Sequence, residues 1–144
     1  MTARFPILPL LTLAMMVWAL LAGCASNPAG RAPADPLVAL EQRATARWQH
    51  LIADQFAEAY AFFSPGYRST RSLEGYASGA RSAALRWDGI EWQEARCANE
   101  DSCTAILLLT YSVRMPGAGD VPGVRQVEEQ WVRLDGTWYH VPER

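Results

Sequence analysis

Three cysteines offer this chain its clearest covalent chemistry, and each stands in different surroundings. Cys97 and Cys103 enclose the five residues ANEDS, whereas Cys24 follows a long apolar run. A thiolate can be alkylated, can form a disulfide or can bind zinc. The neighbouring sequence therefore has to indicate which reaction each cysteine undergoes.

The residues before Cys24 are organised as a secretory signal. The segment MTAR carries a positive charge, residues 5–20 are largely apolar, and Ala22 and Gly23 place small side chains directly before the cysteine. This order is typical of a cleaved leader. The sequence LAGC, which ends at Cys24, resembles the lipobox of bacterial lipoproteins. That resemblance implies a diacylglyceryl group on the Cys24 thiol, cleavage directly before it and acylation of the new amino terminus.

An uncut transmembrane helix is the alternative for the same residues. The apolar stretch from Phe5 to Ala22 is 18 residues long, at the short end of the roughly 17–25 residues that span a bilayer. Pro6 and Pro9 shorten the helix that it can form. The sequence therefore favours a cleaved, lipidated leader over a membrane-spanning helix.

The lipoprotein resemblance implies a location in the bacterial cell envelope. Two or more acyl chains hold a protein stably at a membrane, and Ala25, which follows the cysteine where Asp would favour the inner membrane, favours the outer membrane facing the periplasm. Residues 24–35 are rich in Pro, Gly and Ala, which predicts a flexible tether. The predicted organisation is a signal peptide at 1–23, this tether, and one domain at 36–144.

Cys97 and Cys103 are predicted to form a disulfide. An oxidising compartment permits the bond, and a short hairpin brings two Cα atoms within the roughly 4.4–6.8 Å that it requires. Zinc is the alternative, but it would need a second Cys or His pair, and His50 and His140 stand alone in the sequence. We therefore predict no metal site and no cofactor.

The first part of the domain has a helical pattern. Asp35 and Pro36 are suited to the start of a helix, and apolar residues then recur every three or four positions as far as Phe63. This spacing predicts a long helix that is either continuous or broken near Asp54. A second, short helix that carries Leu73, Tyr76 and Ala80 is predicted, although Gly75 and Gly79 are unfavourable within a helix.

The second part of the domain has the alternation of strands. A turn at Asp88-Gly89 is predicted to precede the first strand, and CTAILLLTYSVRM forms a long second one. Asp135-Gly136 is a strong signal for a two-residue hairpin between the last strands. The order of elements predicts an α+β domain whose helices pack against one curved antiparallel sheet.

The chain resembles the NTF2-like superfamily, also called cystatin-like or SnoaL-like, from Leu37 to Pro142. The resemblance depends on the long helix ending in AYAFFSPGYR, the short helix around LEGY, the meander of long strands and the closing WVRLDGTWYHVP. It implies a cone with a pocket between the helices and the concave face of the sheet. The short second helix, rich in Gly and Ser, departs from the family pattern and alters the mouth of that pocket.

The resemblance also implies catalytic patterns, because some NTF2-like proteins are enzymes. An isomerase-like site combines a carboxylate base with an oxyanion hole made by a tyrosine and a protonated acid. A dehydratase-like site pairs His with Asp, and an epoxide-hydrolase-like site groups Asp, Arg and Asp. The residues that offer these groups are Tyr60, Tyr111, Asp54 and Glu128 for the first, His50 with Asp54 or His140 for the second, and Arg114 for the third.

Each candidate also has an ordinary structural interpretation. His50 and Asp54 have the i, i+4 spacing of a solvent-facing pair on a helix, and His140, near the end of the last strand, is predicted to lie at the surface. Glu128 and Glu129 point to opposite faces of a strand, so only one of them can enter a pocket. We therefore predict that the chain is not an enzyme.

The aromatic residues favour a binding function. The predicted pocket residues are Trp48, Tyr60, Phe63, Trp92, Tyr111 and Trp131. They would line a cavity for a small apolar or ring-bearing ligand, although the same rings can also pack a core. The predicted function is a lipid-anchored, non-enzymatic domain that binds such a ligand or another envelope protein. An isomerase- or dehydratase-like enzyme and an assembly subunit that forms a homodimer through its sheet are the alternatives. A net charge of −2 argues against a nucleic-acid partner.

Overall fold

The computed structural model describes residues 35–81 and 85–142, which form four helices followed by four strands. Cys24, the predicted signal peptide and nearly all of the predicted tether lie outside these residues. The elements are α1 (Pro36–Ile52), α2 (Phe56–Tyr60), α3 (Pro65–Thr70), α4 (Leu73–Arg81), β1 (Leu85–Asn99), β2 (Ser102–Met115), β3 (Gly119–Leu134) and β4 (Thr137–Val141). Within the described ranges, none of the helices has both the length and the apolarity that crossing a membrane requires.

Helix α1 begins and ends where the local sequence dictates. The Asp35 Oδ1 atom accepts a hydrogen bond of 2.8 Å from the Leu37 amide, and Pro36 occupies the first turn. The helix ends at Ile52, and Asp54 adopts a left-handed conformation with φ of 57°. Asp tolerates this conformation better than most residues. The predicted long helix is therefore broken near Asp54, and α2 continues it after the break.

The four strands form a single antiparallel meander in the order β1-β2-β3-β4. Trp92 lies opposite Leu107, which in turn lies opposite Val127, so one row of side chains crosses the same face of three strands. Asp88 and Gly89 do not form the predicted turn. They lie inside β1, where the register shifts between Trp87 and Gly89, and the resulting bulge bends the strand.

The concave face of the sheet packs against α1 to form the core. The buried side chains of α1 include Leu40, Ala44, Trp48 and Leu51, and those of the sheet include Ala105, Leu107, Leu109, Trp131 and Trp138. The indole of Trp138 donates a hydrogen bond of 2.8 Å to the Pro36 carbonyl, and Arg43 Nε donates one of 2.6 Å to the Trp138 carbonyl. These bonds join the first helix to the last strand. The predicted α+β class, with helices on a curved antiparallel sheet, is confirmed.

Cys97 and Cys103 lie directly opposite each other in the β1–β2 hairpin. Their sulfur atoms are joined at 2.06 Å. Cys103 is buried in the core, whereas Cys97 is exposed. The disulfide therefore closes the hairpin at one end of the sheet.

Candidate functional site

A buried ion pair lies between α1 and the concave face of the sheet. Arg47 on α1 donates a hydrogen bond from Nη1 to Glu129 Oε1 on β3 at 2.5 Å, across 82 positions of sequence. Arg47 is 7% exposed and Glu129 is 4% exposed. Removing two charges from water is costly, so each group depends on the other for its stability.

The sheet gives Glu129 its position and a second partner. Glu129 lies opposite Ala105, whose small side chain leaves space on the concave face. Its second oxygen, Oε2, accepts a hydrogen bond of 3.2 Å from the indole nitrogen of Trp131. Burial raises the pKa of Glu129 above its ordinary value, while the nearby Arg47 guanidinium acts in the opposite direction. Of the two adjacent glutamates, Glu129 enters the interior, and Glu128 is exposed on the other face.

Among the described residues, three hydrogen-bond donors next to this ion pair form no hydrogen bond of ordinary length, although Trp48 lowers the pKa of Glu129 and Arg47 lowers that of Tyr76. They are Arg47 Nε, Trp48 Nε1 and the Tyr76 hydroxyl, and less than 1 Å² of each atom is accessible to water. Burial raises the pKa of the Tyr76 hydroxyl, and the Arg47 charge partly offsets this. An unpaired buried donor costs about 1–3 kcal/mol. Because buried donors are usually paired, three of them in one place mark this region as the candidate site.

The same three side chains line a cavity of about 310 Å³, which we call the donor cavity. Its lining residues are Arg47, Trp48, Leu51, Arg71, Tyr76, Gly79, Ala80 and Trp87. Trp48 and Trp87 meet edge to face with ring centroids 5.8 Å apart, and they form an aromatic wall. Its volume lies at the lower end of the roughly 300–1,000 Å³ that small-molecule sites occupy.

His140 is a further buried polar residue, close enough to Arg47 to be affected by its charge. Its ring centroid lies 5.1 Å from that of Phe63 and 5.6 Å from that of Trp131. Burial, together with the nearby Arg47 charge, lowers the pKa of His140 to about 3. The prediction that His140 is a surface residue is therefore wrong. The His140 main chain forms hydrogen bonds with the main chains of Phe62 and Ser64. These bonds hold β4 against the segment that follows α2.

The predicted pocket residues divide between cavity and core. Trp48 lines the donor cavity, whereas Tyr60, Phe63 and Trp131 do not line it and pack among other rings and buried groups. Trp92 packs against the edge of the core, and Tyr111 covers Gly123, where an added Cβ would lie 2.5 Å from the tyrosine ring.

The catalytic groups suggested by the sequence do not come together. His50 Nδ1 lies 2.7 Å from Gln55 Oε1, and Asp54 is exposed. Arg114 forms an exposed ion pair of 3.1 Å with Asp120. Glu128 accepts a hydrogen bond from Gln126 on the outer face of β3. Within the described ranges, no group of three or more His, Cys, Asp or Glu side chains is placed to hold a metal ion.

Three residues of the site were not identified from the sequence. Nothing in the helical pattern singled out Arg47, and Glu129 was not separated from Glu128. Tyr76 was identified only as an apolar position of the short helix. The alternation of β3 provides the one available signal, because it requires that one of two adjacent glutamates point inward. Only the pairing of β3 with β2 determines which one.

A larger groove of about 630 Å³ lies at the other end of the sheet, beside the disulfide. Its walls include Leu37, Cys97, Arg133 and Trp138. The Arg133 Nε atom already donates a hydrogen bond of 2.8 Å to Asp101. None of the three unpaired donors lines this groove, so its size alone does not make it the better candidate site.

Comparison with solved structures supports the NTF2-like fold. A ketosteroid isomerase-like protein from Erwinia carotovora atroseptica shares 15% identity with this chain, and the alignment covers 74% of this chain and 92% of that one with a TM-score of 0.58. A protein with a SEC-C motif from Rhodopseudomonas palustris shares 11% identity over 69% of this chain and 73% of its own, with a TM-score of 0.53. No protein-family model and no curated protein matches the sequence. The fold is therefore NTF2-like.

These likenesses also correct one prediction. The sequence analysis predicted that the chain is not an enzyme. The likeness to a ketosteroid isomerase-like protein contradicts that prediction, because the shared fold is one that also carries an enzyme-like protein.

Proposed function

We propose that this chain is an NTF2-like domain that binds a small, ring-bearing molecule in the donor cavity. The observation that carries the proposal is the set of three unpaired buried donors, Arg47 Nε, Trp48 Nε1 and the Tyr76 hydroxyl, beside an aromatic wall. An acceptor oxygen on the ligand would satisfy the donors, and its ring would pack against Trp48 and Trp87. Both contributions are typical of small-molecule sites.

An isomerase-like proton transfer is the second candidate. A buried glutamate and a tyrosine, both with raised pKa values, lie on either side of Arg47. These are the group types of an isomerase-like site, and the ketosteroid isomerase-like neighbour has the same fold. Binding ranks first because Tyr76 lines the donor cavity and Glu129 does not. Both Glu129 oxygens are also held by protein donors.

The ligand proposal predicts that 2-acetylnaphthalene, a neutral aromatic ketone, shifts the indole N–H resonance of Trp48 in ¹H–¹⁵N spectra. The Trp131 indole N–H, which already donates to Glu129, should shift much less. Ala80→Leu fills the cavity from α4 and should weaken binding about tenfold or more, because the ring loses its space. Ser78→Leu, at an exposed position of the same helix that does not line the cavity, should leave binding unchanged.

Two outcomes of that titration contradict the ligand proposal. One is the absence of any shift at Trp48 at saturating ketone. The other is an equal loss of binding in the Ala80 and Ser78 variants. The same sample in ²H₂O distinguishes the second candidate, because proton transfer would exchange the methyl protons of the ketone, and Glu129→Gln would stop that exchange.

We also propose that the domain is held at the bacterial envelope by lipid on Cys24, with residues 1–23 removed and residues 24–35 serving as a tether. The support is the LAGC sequence after an apolar run. Cells fed labelled palmitate should incorporate label into the wild-type chain and not into Cys24→Ala, because the alanine has no thiol to modify. Cys97→Ser is the matched control and should retain the label. Equal labelling of the Cys24→Ala chain would contradict lipidation.

A further inference from the structure

We infer that the donor cavity selects a small aromatic carboxylate over a neutral molecule of the same shape. This inference rests on the proposed ligand site and adds the chemical class of the ligand. It follows from the charges at the cavity, the nature of its polar groups and the way α4 covers it.

The polar side chains that line the cavity include no acid. Arg47 and Arg71 supply two guanidinium groups, Trp48 and Tyr76 supply an indole N–H and a hydroxyl, and no Asp or Glu lines it. Only the tyrosine oxygen can also accept a hydrogen bond. A ligand with acceptor oxygens therefore fits this lining, whereas a cationic ligand has no opposite charge to meet.

The two arginines differ in the charge that they leave available. The Arg47 charge is already balanced by Glu129 through the buried ion pair. Arg71 forms no ion pair with any carboxylate of the described residues. An added Cβ at Gly79 would lie 3.9 Å from Arg71 Nη2, so the guanidinium rests against the glycine side of α4. Arg71, which is exposed to solvent, therefore brings to the cavity a positive charge that no described carboxylate pairs with.

The unpaired donors and this charge together fit a carboxylate. Its two oxygens can accept from several donors at once, and a bond between charged partners is about twice as strong as a neutral one. Arg47 Nε and Trp48 Nε1 belong to side chains that are at least nine-tenths buried, so water competes little for them. The aromatic wall and Leu51 then hold the apolar body of the ligand.

Access to the donors depends on α4, which carries Tyr76 and Ala80. Of the nine residues of this helix, only Ala77 is buried. An element with so few buried contacts opens at low free-energy cost. An outward shift of α4 would expose the three donors that lie just beneath the cavity wall.

The test compares 2-naphthoate with 2-acetylnaphthalene, which have the same ring and nearly the same size but differ in charge. Calorimetry, with the Trp48 indole resonance as a site marker, should give about fivefold to tenfold tighter binding of the carboxylate to wild-type protein. Arg71→Gln should remove most of that preference, because it removes the charge that the carboxylate meets. Arg68→Gln is the matched control, since Arg68 is an exposed arginine of α3 that does not line the cavity.

The outcomes separate this inference from the proposed function. If both probes shift Trp48 with equal affinity, or if Arg71→Gln leaves the preference intact, the carboxylate inference is wrong and the ligand site stands. If neither probe shifts Trp48, the proposed site itself is wrong. A preference that Arg68→Gln abolishes as fully as Arg71→Gln would reflect general attraction to a positive surface, which also overturns the inference. Both titrations are repeated at a higher salt concentration, because salt screens a general attraction to a positive surface.

Discussion

Arg47→Met is expected to lower the free energy of unfolding by about 3–5 kcal/mol, as measured by urea denaturation at neutral pH. The methionine can fill much of the space of the arginine stem, so the loss arises mainly from Glu129. Its carboxylate would remain buried on the sheet, where it would keep the hydrogen bond from the Trp131 indole but lose the opposite charge. A buried charge without its partner is far less stable than a buried pair.

The double variant Arg47→Met with Glu129→Leu is the informative companion. It removes both charges, so it should recover most of the stability that the single variant loses, because buried pairs replaced by apolar residues are often neutral or stabilising. Arg114→Met is a matched control that breaks an exposed ion pair with Asp120. It should cost less than about 1 kcal/mol. A single and a double variant of equal stability would show that the loss comes from packing and not from the stranded charge.

Acid is expected to destabilise the wild-type protein more than a His140→Phe variant. The folded state holds the pKa of His140 at about 3, against 6.5 for the free side chain. The unfolded chain therefore takes up a proton below pH 6.5 that the folded chain refuses until about pH 3. Stability linked to His140 is present above pH 6.5 and is lost as the pH falls through this window. Between pH 7 and pH 4.5 the loss should be about 2–3 kcal/mol.

The measurement is the free energy of unfolding of both proteins at several pH values from 7 to 4.5. Phenylalanine keeps a ring next to Phe63 and Trp131 but cannot bind the proton, so the gap between the two curves should change by about 2–3 kcal/mol over this range. Phenylalanine also loses the contact with the Gln130 carbonyl at 3.2 Å, which shifts the variant curve without changing its slope. Glu129, whose raised pKa acts in the opposite direction, is common to both proteins. Parallel curves would show that His140 titrates normally in the folded state.

Local chemistry was sufficient for most elements of the fold, although the short helix α3 at Pro65–Thr70 was not predicted. Asp35 and Pro36 predicted the start of α1, and the Asp135-Gly136 hairpin has positive φ angles of 49° and 77°, as the dipeptide requires. The α+β class followed from the helical spacing of apolar residues in the first part of the domain and their strand-like alternation in the second. Asp88-Gly89 was the exception. The dipeptide favours a turn, but pairing with β2 continued through it, and the chain accommodated the mismatch as a bulge.

The interior groups could not be assigned by the same arguments. Arg47 is a polar residue on a helix, for which exposure is the ordinary expectation, and only the approach of β3 to α1 supplies the partner that makes its burial tolerable. His140 was predicted to be exposed because it stands near the chain end, and the pairing of β4 with β3 and Phe63 buries it.

By itself, the sequence determined the start of α1, the short helix α4, the long strands, the last hairpin turn and the α+β class, because capping, periodicity and turn chemistry act between residues that are close along the chain. The tertiary structure alone decided that Glu129 and not Glu128 faces inward, that Arg47 meets it across 82 positions, and that three donors beside them form no ordinary hydrogen bond with any described residue. The physical reason is that the cost of burying a polar group depends on what lies opposite it in space. That neighbour is fixed only when the helix and the sheet pack together.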